Sequence, residues 1–234
     1  MIITLDQIEK YLGHKIKDPY GRVVGTLVSV YSDIDGVVTN VEVAFSDSDF
    51  RTVPAKRIQL TPEGVVIIPE WKAEAIEVEQ KLDRARKRYR ALEELYRKGQ
   101  IPVHAYDELK NKLDAQLKRL KTKVKEVRSV LKKRINELED MVLHIEKAMT
   151  HLIVSYTAAE IGEHAFKTSI DILRQARSRA IDEKKDIERH LELIEKLEGE
   201  PVELFKKEAK APKIPQTGIA QPPEAPLVVE VVNA

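Results

Sequence analysis

Reading every seventh residue from position 117 gives Leu117, Val124, Leu131, Leu138, Ile145, Leu152, Ala159, Phe166, Leu173, Ala180, Ile187 and Ile194, with no charged or polar residue in the frame. In a chain that is 34% Asp, Glu, Lys and Arg, chance does not keep a frame this clean. A strict seven-residue repeat lays an apolar seam along one side of a helix, and a single helix cannot bury its own seam. The seam demands a helical partner, from the same chain or from another copy. Its Leu, Ile and Val members are assigned to an oligomer seam.

The partner positions of the repeat divide the helical region. Leu113, Leu120, Val127 and Met141 are apolar, with Arg134 the exception, whereas Ser155, Gly162, Ser169, Glu183 and His190 follow later. The seam weakens around residues 155–169, where a bend or a hairpin is expected. Between Val103 and Glu198 there is no Pro and only Gly162 interrupts. A continuous helix there would extend roughly 140 Å at 1.5 Å per residue.

The net charge of +1 hides an asymmetry. Residues 100–135 hold eleven basic and four acidic residues, and residues 136–198 hold nine basic and fourteen acidic ones. Opposite charge on the two halves favours antiparallel alignment, either of two copies or of a folded-back hairpin. The dense basic run is Lys118, Arg119, Lys121, Lys123, Lys125, Arg128, Lys132, Lys133 and Arg134. It can neutralise phosphates, which makes it a candidate nucleic-acid surface with salt-sensitive affinity. A solvated helix face, or a stripe set against acidic residues of a neighbouring helix, accounts for it equally simply.

Ahead of the helices, residues 1–68 alternate with period two. Segments 22–31 and 37–45 read as strands joined at Ile34-Asp35-Gly36, whose Asp-Gly favours a tight hairpin. Pro19-Tyr20-Gly21 and Pro62-Glu63-Gly64 mark further turns, the second ahead of Val65-Val66-Ile67-Ile68. Five or six short strands without an interior helix suggest a small antiparallel barrel. Pro69 then starts the helical half, and Gly99-Gln100-Ile101-Pro102 interrupts it with a C-cap Gly and a new Pro start.

Three stretches, Leu12-Gly13-His14-Lys15-Ile16, Asp18-Pro19-Tyr20-Gly21-Arg22-Val23-Val24-Gly25 and Val53-Pro54-Ala55-Lys56-Arg57-Ile58, resemble the PRC-barrel family over about residues 5–70. That resemblance implies an adaptor or assembly fold. The expected fold class is therefore α+β: a PRC-like antiparallel β-barrel (1–69), a long helical coiled-coil region (70–198), a Pro-rich flexible linker (199–226) and a terminal strand-like peptide (227–234). The linker has five prolines between Ala211 and Pro226. Beyond it, Leu227, Val228, Val229, Glu230, Val231 and Val232 form a β-branched run with no local core. Such a run is suited to adding a strand to another protein's sheet.

This order of barrel, coiled coil, linker and terminal apolar peptide resembles the CdvA family of archaeal cell-division proteins. The resemblance implies that the peptide binds the winged-helix region of the ESCRT-III-like partner CdvB and recruits it at the division site near the membrane. It also implies filament formation and an association with DNA. A nucleoid-associated DNA-organising protein is the alternative. The high charge content suits the ion-pair networks of a thermophile.

Catalytic signals are weak. His144 and His151 lie seven apart and Glu160 and His164 four apart, without a metalloprotease spacing. Asp33-Ile34-Asp35-Gly36 lacks the downstream ligands of a calcium loop. There is no Cys, no Gly-rich phosphate loop and no serine elbow. The expectation is a non-enzyme without metal or cofactor. The N-terminus lacks a secretory signal and no apolar run reaches about 20 residues, so a cytoplasmic protein is expected.

Overall fold

The computed structural model describes residues 2–199. Its N-terminal part begins with a one-turn helix α1 (Leu5–Ile8) and holds six strands: β1 (Lys15–Lys17), β2 (Val23–Ser32), β3 (Val38–Ser46), β4 (Asp49–Pro54), β5 (Ile58–Thr61) and β6 (Gly64–Ile67). They form one sheet in the order β4-β3-β2-β1-β6-β5. The two end strands, β4 and β5, are consecutive in the chain and separated only by the 3-10 turn Ala55–Arg57. The sheet must therefore curl until its ends approach, as a barrel does. Ile8, Ile16, Leu27, Val41 and Val43 are fully buried at its centre.

One pairing departs from the all-antiparallel expectation. β1 and β6 are parallel, with Lys17 opposite Val66, whereas the other ladders are antiparallel. The corner after Pro54 carries the chain to the far edge of the sheet without reversing it. β5 and β6 consequently arrive with the polarity that sets β6 alongside β1. The second glycine of the Asp18–Gly25 stretch has a steric role. A Cβ on Gly25 would lie 2.6 Å from the Ala44 carbonyl oxygen of β3, so only Gly allows β2 and β3 to approach this closely.

Three helices follow: α2 (Glu70–Arg97), α3 (Val103–Thr157) and α4 (Glu163–Gly199). α2 ends in a Schellman motif. Gly99 has φ of +68°, its N–H donates to Tyr96 O, and Gln100 N–H donates to Leu95 O. α3 ends in the same way with Ala159 in the glycine position, at φ of +59°, and Glu160 N–H donating to Ser155 O at 2.9 Å. The chain reverses there, and Tyr156 stacks on Phe166 across the turn at 4.3 Å between centroids.

The 55 residues of α3 form a spine of roughly 80 Å at 1.5 Å per residue. α2 and α4 both run antiparallel to it and overlap one another only at its middle. There, Val78 and Leu82 of α2, Val124, Leu131 and Leu138 of α3, and Ala180, Ile187 and Ile194 of α4 make one buried cluster. Towards one end α2 and α3 pair alone around Leu92, Tyr106 and Leu113. Towards the other, α3 and α4 pair alone as far as the Tyr156–Phe166 stack.

The heptad seam is thus folded back on itself. Val124, Leu131, Leu138 and Ile145 on α3 and Ile187 and Ile194 on α4 are buried within one chain. Leu117, Leu152 and Leu173 are half-buried, and Ala159 is spent in the turn. The residues assigned to an oligomer seam find their helical partner intramolecularly. The five-residue reversal between Thr157 and Glu163 keeps the repeat in frame on both arms.

Candidate functional site

The ionisable exceptions on the seam gather at one place. Arg134, Glu183 and His190 occupy heptad partner positions that would ordinarily be apolar, and all three lie where the barrel meets the three-helix section. Glu183 is only 1% exposed and sits at the centre. Arg134 donates to it from Nε at 2.9 Å and from Nη2 at 3.2 Å. Trp71 Nε1–H donates to the same carboxylate at 3.2 Å. Beside this group, Glu79 Oε1 of α2 meets His190 Nδ1 at 2.6 Å, and the His190 ring is set edge-on to Trp71.

The barrel supplies the remaining ligands through the turn Asp18-Pro19-Tyr20-Gly21-Arg22. The buried Asp18 carboxylate accepts the N–H of Tyr20 at 3.0 Å and of Arg22 at 2.8 Å, which fixes the turn. It also accepts Arg22 Nε at 2.6 Å, aiming that guanidinium at Glu183, to which Nη2 donates at 2.5 Å. Tyr20 Oη donates to Asp186 Oδ2 at 2.7 Å, and Lys72 Nζ reaches the same oxygen at 2.6 Å. Two carboxylates, Asp18 and Glu183, face two guanidiniums, and Asp186 faces one ammonium. Among these six groups charge is balanced, and every buried side-chain nitrogen and oxygen among the described residues has a hydrogen-bond partner.

A buried network of this kind confers geometric specificity more than net stability. It ties the barrel to α4 through Arg22–Glu183 and Tyr20–Asp186, and α3 to α4 through Arg134–Glu183. Burial alone would push the Glu183 carboxyl up, but hydrogen bonds and charge from Arg134 and Arg22 outweigh it and hold the group below its usual value. Burial likewise works against ionised Asp186, and the hydrogen bonds from Lys72 and Tyr20 carry it below the usual range. Burial, followed by the hydrogen bond to Asp186, pushes the Tyr20 phenol up.

These shifts have a pH consequence. Both carboxyls have folded values below their unfolded ones, so their contribution is fully present above the usual carboxylate range. It is lost as pH falls through the depressed values, below about pH 4. Trp71 is the one Trp of the chain and reports directly on the junction. Its emission is expected to shift to the red on acidification through that window while helical circular dichroism persists. An unshifted emission down to the point of global unfolding would contradict the junction's role.

Ion pairs across the helices take up part of the basic run. Besides Arg134, Arg128 pairs with Glu198 at 2.6 Å, Lys123 with Glu74 at 3.3 Å and Lys133 with Glu137 at 4.0 Å. Arg128 and Lys123 thus answer acidic residues of the neighbouring helices, and Lys133 answers the next turn of its own helix. Lys118, Arg119, Lys121, Lys125 and Lys132 remain exposed on α3. The terminal run Leu227–Val232 lies outside the described residues. Among the described residues no group of three or more His, Asp or Glu could hold a metal ion, and no helix is long and apolar enough to cross a membrane.

A small β-barrel locked by a buried ion network onto a coiled-coil hairpin defines a barrel–coiled-coil protein. Residues 70–216 match the model of the CdvA-like coiled-coil domain, a match that starts at the first residue of α2. The chain is also 37% identical over 204 residues to Cell division protein A of Sulfolobus acidocaldarius, covering 87% of this chain and 85% of the relative. No solved structure matches it. The chain belongs to the CdvA family, and its role is in cell division.

Proposed function

We propose that this protein is a non-enzymatic scaffold of archaeal cell division that self-assembles and recruits the ESCRT-III-like partner CdvB through its C-terminal peptide. The observation that carries the reading is the terminal run Leu227–Val232, set behind a linker with five prolines between Ala211 and Pro226. The seam of the helical body is already occupied internally, so it is not the surface on which this reading relies. An extended β-branched peptide binds by adding a strand to a partner's sheet, with backbone hydrogen bonds giving affinity and alternate side chains giving specificity. Period-two alternation would put Leu227, Val229 and Val231 on one face and Val228, Glu230 and Val232 on the other. Through CdvB the scaffold would act in the cytoplasm at the division site, close to the membrane.

A pull-down of the CdvB winged-helix region with the full chain and with a chain ending at Gln221 tests this. Binding is expected to disappear with the peptide. Equal capture by both chains would remove the recruitment reading.

A further inference from the structure

The helical body is a three-helix bundle only at its middle, where the barrel is docked. Each end is a two-helix pair with an open face. On the α3–α4 tip that face carries Met141 and Ile172, which are 40% and 63% exposed. At the α2–α3 end a groove of about 420 Å³ is lined by Leu113 and Leu120 together with Arg88 and Arg119. Neither arginine has an ion-pair partner among the described residues, and nor do Asp140 and Glu160 at the tip.

The two ends carry opposite charge. Residues 83–98 and 103–121 hold twelve basic and six acidic residues, whereas residues 139–176 hold three basic and six acidic ones. Tip against tip or groove against groove would set like charges together, and tip against groove sets opposites together. Packing a two-helix end of one copy on the opposite two-helix end of the next completes a four-helix section and covers both open faces.

We infer that the α3–α4 tip of one copy docks on the basic α2–α3 groove of the next, joining copies head to tail. The inference rests on the self-assembly reading above and supplies its interface. A contact between two different surfaces leaves a free tip at one end and a free groove at the other, so growth remains open-ended. The repeat frame that starts at Leu117 takes no part in it; Met141, Leu113 and Leu120 come from its partner positions.

Two variants of the full-length protein test the interface, followed by sedimentation velocity across a concentration series. One carries Met141→Gln and Ile172→Gln on the tip, and the other Arg88→Glu and Arg119→Glu in the groove. All four side chains are exposed, so helical circular dichroism and melting should match the wild type and verify folding. Each variant alone is expected to need at least about tenfold more protein to assemble, as for a disrupted interface centre. An equimolar mixture should then form dimers and stop, because it retains one sound tip and one sound groove per pair. Wild-type assembly by both variants would overturn the interface while sparing the self-assembly reading. A folded mixture that forms no dimer would do the same. So would an Arg88→Glu, Arg119→Glu protein that assembles normally but has lost binding to duplex DNA, since the groove would then serve phosphate. A wild type that stays monomeric throughout would remove the self-assembly reading and the interface together.

Discussion

Glu183→Ala is expected to lower stability by ~3–5 kcal/mol, the usual cost of breaking a buried ion pair by removing one partner. The carboxylate accepts hydrogen bonds from Arg22, Arg134 and Trp71. Its removal leaves the Trp71 indole N–H without its acceptor and takes one carboxylate partner from each guanidinium, Arg22 keeping Asp18 and Arg134 keeping Glu137. The Coulomb attraction disappears, while the desolvation of both arginines remains. Because Arg22 belongs to the barrel and Arg134 to α3, the damage should appear first as loosening of the barrel on the helices. Urea titration followed by Trp71 emission, compared with helical circular dichroism, separates the two events. In the variant, the emission change should precede the loss of helix. Coincident transitions with a loss below about 1 kcal/mol, the range of exposed pairs, would mean that water replaces the carboxylate without consequence.

Leu131→Ala is expected to cost ~2–5 kcal/mol, the range for truncating a well-packed core leucine. Leu131 is fully buried, in the cluster that holds α2, α3 and α4 together. Truncation removes apolar contacts from three helices at once, and the rigid ends of the hairpin restrict collapse into the space left. The informative part of the measurement is its concentration dependence. Below the concentration at which copies join end to end, a seam buried within one chain gives an unfolding midpoint independent of protein concentration for both wild type and variant. A seam shared between copies makes the midpoint rise with concentration. Denaturant midpoints measured over a hundredfold range of concentration would therefore settle which partner the heptads have. A rising wild-type midpoint that Leu131→Ala abolishes would contradict the folded-back seam.

Much of the fold was legible because its determinants are local. Strands β2 and β3 were visible in β-branched alternation around Asp35-Gly36, and the break between α2 and α3 in Gly99 and Pro102. The reversal near 155–169 was visible as a weakened seam, although its tight turn uses Ala159 in a left-handed conformation that no propensity favours for alanine. The parallel β1–β6 pairing was hidden, since it depends on how the corner after Pro54 leads the chain around the barrel.

The junction was half visible. Arg134, Glu183 and His190 stand out as polar residues on an apolar repeat, yet Arg134 lies within a basic run and Glu183 and His190 read only as weak points of the seam. Polar residues at seam positions on both arms of an expected hairpin signal that they answer one another. Nothing local could show that Asp18, Tyr20 and Arg22, more than a hundred residues earlier, complete the group.

By itself, then, the sequence determined that an apolar stripe of this length must be covered and that its charge polarity favours antiparallel cover. Those consequences follow from helical periodicity and from Coulomb's law along a single chain. Only the tertiary structure decided that the cover is the chain's own second arm. It also decided that Glu183, one of the stripe's polar exceptions, binds the barrel and that the open faces lie at the two ends. The reason is that burial is a property of a site in space: a heptad position states what must be hidden, and only the packed chain supplies what hides it.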